Sequence, residues 1–208
     1  MSQDKEERNR PPLRLVVNNP DKRPVRNDSE EEYFSLETLA ERREEFRAAF
    51  YGGMATEIAG AYTAIERHLQ RKGWPHGFDP QHGKLLVLSV GAVCPYHEQY
   101  GGESKDEALI FVSEDQQGGL CLALEVVLPF FSEDDEVMED VFFSAPVHQY
   151  GTLFLEENRR DKLLDLIYRL SLPLSPPILT GRLMERFFTI AASELAETLR
   201  ILGEYPES

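Results

Sequence analysis

The sequence predicts an α+β domain: an antiparallel β-sheet with helices packed on one face. Three observations lead there. Residues 107–131 read as a hairpin, the stretch 150–172 reads as a second one, and long segments at helical period, 54–72 and 180–202, flank this strand-rich middle. In the first hairpin Leu120, Leu122, Leu124, Val126 and Leu128 fall on one side, and Cys121, Ala123, Glu125 and Val127 on the other. That period of two is the alternation of a strand with one large-apolar face. Gly118 and Gly119 supply the positive backbone angles of a tight turn after the apolar run Leu109, Ile110, Phe111, Val112. Pro129 ends the pairing, having no N–H for a ladder.

The elements follow in order. Residues 1–32, rich in charge and proline and nearly free of large side chains, read as a disordered tail, since little burial would offset their ordering. Within the tail Leu13, Leu15, Val16 and Val17 lie between prolines. They are either a linker's chance apolar cluster or a short motif that adds as a strand to a sheet edge, in this chain or on a partner. Ser35 is an N-cap with Glu37 in the first turn. It opens a charged helix, within the unit 33–53, with a narrow apolar stripe that includes Leu36, Leu39, Phe46 and Phe50.

The main domain is expected over 54–203. Met54, Ile58, Ala61, Tyr62, Ile65 and Leu69 give the second helix one buried face, with Gly73 as its C-cap. Residues 74–83 read as a loop and 84–93 as the first strand. Ser132 with the acidic run after it starts a middle helix that extends to Phe143. Residues 150–156 read as a strand. Residues 162–172 fit either period, and the short turn before them favours a strand. Thr180 caps the last helix, whose inner face carries Leu183, Phe187, Ile190, Ala191, Leu195, Thr198 and Leu199.

Leaving out the charged first helix, the order is α-β-β-β-α-β-β-α. With the stretches Gly119–Leu124, Gly151–Leu155, Leu166–Pro173 and Leu183–Leu199, it resembles the YbjN family and the related type III secretion chaperone-like fold, over about residues 54–202. Members often carry an Asn-rich junction after the middle helix, where this chain has residues 145–150. The resemblance implies a chaperone-, adaptor- or regulator-like binder, with no catalytic residue to carry over. In the secretion chaperones a dimer lays extended partner segments along helices and sheet edges; the resemblance implies a similar use of surface here, with a homodimer as one arrangement it allows.

The 208 residues are 41% hydrophobic and 28% charged, with a net charge of −15. That balance argues against nonspecific nucleic-acid binding and favours a basic protein partner. No apolar run approaches the ~20 residues that span a bilayer. Two cysteines, Cys94 and Cys121, make no disulfide framework, so a reducing cytoplasm is expected.

The sequence offers two kinds of site. Cys94 and His97, with His76 and His82 in the preceding loop, have ligand chemistry for zinc, but their spacing is loose. Cys94 with His97 or His148 would make a nucleophile pair, though nothing marks an activated thiol. Neither displaces the ordinary reading of these residues as loop residues, so no catalytic residue, metal or cofactor is expected. The other kind of site is a partner surface. Glu133, Asp134, Asp135 and Glu136 form either a helix cap with a solvated face or a docking patch for a basic segment. Phe46, Phe50 and Tyr51 pack either on their own domain or against a partner. The expected function is a non-enzymatic module that binds a protein or peptide segment. The alternative is a metal- or thiol-dependent enzyme centred on Cys94 and the nearby histidines.

Overall fold

The computed structural model describes residues 14–15, 36–80, 85–103, 106–114, 119–132, 134–157, 163–174 and 179–203. The elements are β1 (Arg14–Leu15), α1 (Leu36–Glu41), α2 (Arg43–Tyr51), α3 (Thr56–Lys72), β2 (His76–Asp79), β3 (Leu85–Ser89) and α4 (Val90–Val93). A 3-10 turn at Glu98–Tyr100 leads to β4 (Glu107–Glu114), β5 (Leu120–Val127), β6 (Phe130–Phe131), α5 (Asp135–Ser144), β7 (Gly151–Glu157), β8 (Leu164–Leu174) and α6 (Gly181–Gly203). Six strands form one sheet in the order β2-β3-β4-β5-β8-β7, every neighbouring pair antiparallel. This is the α+β class expected.

The hairpin β4–β5 is the centre of the sheet, in register from Ala108 opposite Val126 to Glu114 opposite Leu120. Leu120, Leu122, Leu124 and Val126 are all buried on one face. Tyr168 lies opposite Val126 and belongs to that face; its hydroxyl donates to Glu194 of α6 at 2.8 Å. Among the described residues the β3–β4 ladder ends at Ile110, and beyond it the Val112 N–H donates to the Tyr62 hydroxyl of α3 at 2.9 Å. α3 and α6 therefore cover the Leu122–Leu124 side. Gly73 ends α3 with φ 68°, the left-handed turn a glycine allows without a Cβ clash. The Thr180 hydroxyl caps α6 by accepting the Leu183 N–H at 3.2 Å.

Residues 162–172, which fit two periods, lie in β8 from Leu164 onward. Pro173 lies inside this strand, opposite Cys121, not after it. β7 pairs no further along β8 than Leu170, so at Pro173 only one side of β8 is in a ladder.

Three expectations are corrected. The loop at 74–83 contains an edge strand, β2, antiparallel to β3. The first strand stops at Ser89, whose hydroxyl accepts the Gly91 N–H at 3.2 Å and turns the chain into α4. The charged first helix is two helices that grip the β2 edge. α1 lies on the far side of the sheet: a Cβ on Gly77 would fall 2.3 Å from the Leu39 Cβ, and the Leu36 N–H donates to Glu107 at 2.9 Å. α2 lies on the α3 side, with Phe50 against Tyr62 and Phe78. In the tail, Arg14 and Leu15 pair with Phe131 and Phe130; its other residues lie outside those described.

Candidate docking surface

α5 is capped two residues later than Ser132, at Asp134. The Ser132 hydroxyl accepts the Asp134 N–H at 3.1 Å, and the Asp134 carboxylate caps the helix by accepting the Glu136 N–H at 3.0 Å. Asp135 and Glu136 in the first turn complement the helix dipole. Met138 and Val141 face the core, while Asp134, Asp135, Glu136, Glu139 and Asp140 are exposed. Phe143 ends the exposed side, 79% accessible and edge-on to Phe142.

The chain then crosses to β7 through residues 145–150, where Val147 is 99% and Tyr150 47% exposed. Inward anchors hold this crossing. His148 Nε2 lies 2.6 Å from the Thr198 hydroxyl, which itself donates to the Glu194 carbonyl at 2.9 Å. The hydroxyl proton being committed, His148 donates from Nε2, which leaves Nδ1 as the acceptor nitrogen; it is buried without a partner among the described residues. The Glu194 carboxylate accepts the Tyr150 N–H at 3.1 Å and the Gly151 N–H at 2.9 Å, together with the Tyr168 hydroxyl. Gly151 is required by this close approach, because a Cβ there would fall 2.4 Å from the Tyr168 ring and 2.6 Å from the carboxylate. Burial lowers the His148 pKa against the opposing pull of Glu194 and Glu197. Burial, then the Glu194 hydrogen bond, raises that of Tyr168.

The result is a loop whose apolar Val147 faces solvent immediately before the anchored His148, beside an acidic helix face. Preorganised apolar groups of this kind bind without a large ordering cost. Sequence reasoning found the acidic run and missed Phe143, Val147 and Tyr150. Val147 and Tyr150 lie in a loop, which has no periodicity from which exposure can be read, whereas Phe143 lies in α5, off the side that buries Met138 and Val141.

The other predicted partner residues lie elsewhere. Phe46 and Phe50, expected as interface aromatics in one reading, are 6% and 0% exposed and belong to the core. The unforeseen strand β2 explains this, since Phe78 meets Phe50 at 5.0 Å and gives the apolar stripe of α2 a surface within its own domain. Tyr51 is half-buried, its hydroxyl donating to Glu66 at 3.3 Å. Glu66 also accepts from Arg43 at 2.8 Å, Arg47 at 3.1 Å and Gln70 at 3.2 Å, joining α2 to α3. Burial would raise the Glu66 pKa, and the hydrogen bonds from Arg47 and Arg43 outweigh it and hold it low. Glu133, Leu13, Val16 and Val17 lie outside the described residues, and Leu15 lies in β1 opposite Phe130.

The chemical candidates are separately engaged. Cys94 is fully buried, and burial pushes its thiol up against the pull of the Tyr96 and His97 N–H groups, away from the thiolate a nucleophile needs. His97 pairs through Nε2 with Asp106 at 2.8 Å, and Gly102 lies so close that a Cβ would meet the ring at 2.1 Å. His76 accepts from Arg43 at 3.0 Å and donates to the Trp74 carbonyl at 2.9 Å. His82 lies outside the described residues. Among the described residues no group of three or more His, Cys, Asp or Glu side chains has the arrangement to hold a metal.

No family model and no curated protein matches the chain. Among solved structures it is similar to the crystal structure of YbjN from E. coli, provisionally described as a transcription regulator. The identity is 12%, over 65% of this chain and 89% of that one, with a TM-score of 0.38.

Proposed function

We propose that this chain is a non-enzymatic protein-binding module, chaperone-, adaptor- or regulator-like, that docks a basic protein or peptide segment on α5 and the crossing into β7. The observation that carries the reading is the pinned loop: His148 and the Tyr150 N–H are tied inward to α6 while Val147 stands 99% exposed. Exposed Asp134, Asp135, Glu136, Glu139 and Asp140 lie on the adjoining helix. Apolar anchors supply affinity in such a surface, and the charges steer a partner of opposite sign to it. Both cysteines are free, which fits a cytoplasmic setting. Among the described residues no helix is long and apolar enough to cross a membrane.

Site-specific photo-crosslinking in the source cells tests the reading. A photoreactive residue at Phe143 or Val147 should give a discrete adduct with a protein carrying a basic segment. The same group at Glu57, exposed in the first turn of α3, should give none. Equal adducts at all three positions would overturn the assignment. An adduct with a second copy of the chain alone would replace the basic partner by a homodimer.

A further inference from the structure

α3 and the start of α6 border a cleft of about 500 Å³, lined by Ala64, Arg67, Gln70, Arg71, Leu179 and Gly181. Arg67 and Arg71 are exposed and one helical turn apart, and neither has an ion pair among the described residues. This is unusual in a chain with 37 acidic against 22 basic residues. The carboxylates flanking the cleft are committed elsewhere. Glu66 is held by Arg43 and Arg47, and Glu185, which Arg71 also attracts at longer range, is paired with Lys72 at 2.5 Å. Gly181 keeps space for the Arg71 guanidinium, since a Cβ there would fall 3.1 Å from Nη2 and 3.4 Å from Nη1. Arg182 and Arg186, one turn apart in α6, are also exposed.

We propose that this cleft docks an acidic peptide segment of a partner protein, with its carboxylates on Arg67 and Arg71. Guanidinium forks pair with carboxylates through two parallel hydrogen bonds, which a lysine ammonium does not reproduce. Ala64 and Leu179 give the cleft apolar lining that a neighbouring leucine of such a peptide would cover and a small anion would leave bare. The site is separate from the α5 surface and opposite to it in charge, so one chain has the means to hold two unlike segments.

Fluorescence polarisation of the full chain with a labelled peptide of alternating glutamate and leucine tests the proposal. Binding should weaken as salt rises, and fall at least tenfold in Arg67→Ala with Arg71→Ala. It should fall severalfold in Arg67→Lys with Arg71→Lys, where the charge stays and the fork is lost. Arg200→Ala, near the far end of α6, should leave it within twofold. Equal binding of the glutamine version of the peptide would overturn the proposal. So would full competition by millimolar inorganic phosphate, or tighter binding of a single-stranded oligonucleotide.

Discussion

Glu194 of α6 accepts the Tyr168 hydroxyl at 2.8 Å inside the core, and through the same carboxylate fixes where β7 begins. Without it the Tyr150 and Gly151 N–H groups and a buried phenol lose their acceptor. Hydrogen bonds to a charged group contribute about 1.5–3 kcal/mol each, and orphaned buried donors add a further penalty. Glu194→Leu should therefore destabilise the protein by about 3 kcal/mol in urea unfolding. It should also speed amide exchange at Tyr150 and Gly151 before it affects the β4–β5 hairpin.

The two aromatic sets separate by stability. Phe50→Ala removes a fully buried ring packed on Tyr62 and Phe78, and large-to-small changes of this kind cost about 3–5 kcal/mol. Phe143→Ala, at a side chain 79% exposed, should leave stability within about 0.5 kcal/mol. Equal losses in chemical denaturation would contradict the placement of both rings.

Acid should weaken the fold in two stages. Burial lowers the pKa values of His68, His76 and His148, so between the ordinary histidine value and the lowered one the unfolded chain binds more protons. Their contribution is complete above about pH 6.5 and declines as pH falls below it. The lowered Glu66 value acts in the same direction further down, its contribution being lost as pH falls below the usual glutamate range. Unfolding free energy measured from pH 8 to 3 should decline in both windows, and His148→Gln should make the upper one shallower.

Gly77 tests how α1 is seated. A Cβ at 2.3 Å from the Leu39 Cβ leaves no room, so Gly77→Ala should loosen α1 from the sheet. Proteolysis within 36–42 should then become faster while the β4–β5 amides keep their protection. Unchanged cleavage would show that α1 does not lie on β2.

What could be read from the sequence follows the strength of its periods. The hairpin β4–β5 was legible because Leu120, Leu122, Leu124 and Val126 alternate with smaller or polar residues. α3 and α6 were legible from apolar faces bounded by Gly73 and Thr180. β2 was not: its four residues His76, Gly77, Phe78 and Asp79 are all buried, show no alternation and lack β-branched side chains. Missing that strand hid what Phe46 and Phe50 cover, because an apolar stripe does not say which surface buries it. The acidic half of the docking surface was visible as a charge run. Its apolar half depends on the fold alone, through the ties from His148 and Glu194 that turn Val147 outward.

The central claim is that α5 and its crossing bind a basic partner through apolar anchors steered by charge. Biolayer interferometry with the partner captured at Phe143 tests it most directly. Asp134→Asn with Asp135→Asn and Glu136→Gln should slow association and flatten its salt dependence, with dissociation nearly unchanged. Phe143→Ser with Val147→Ser should speed dissociation by about tenfold or more, about 1.4 kcal/mol, at unchanged melting temperature. Identical rate constants in the parent chain and both variants would contradict the claim.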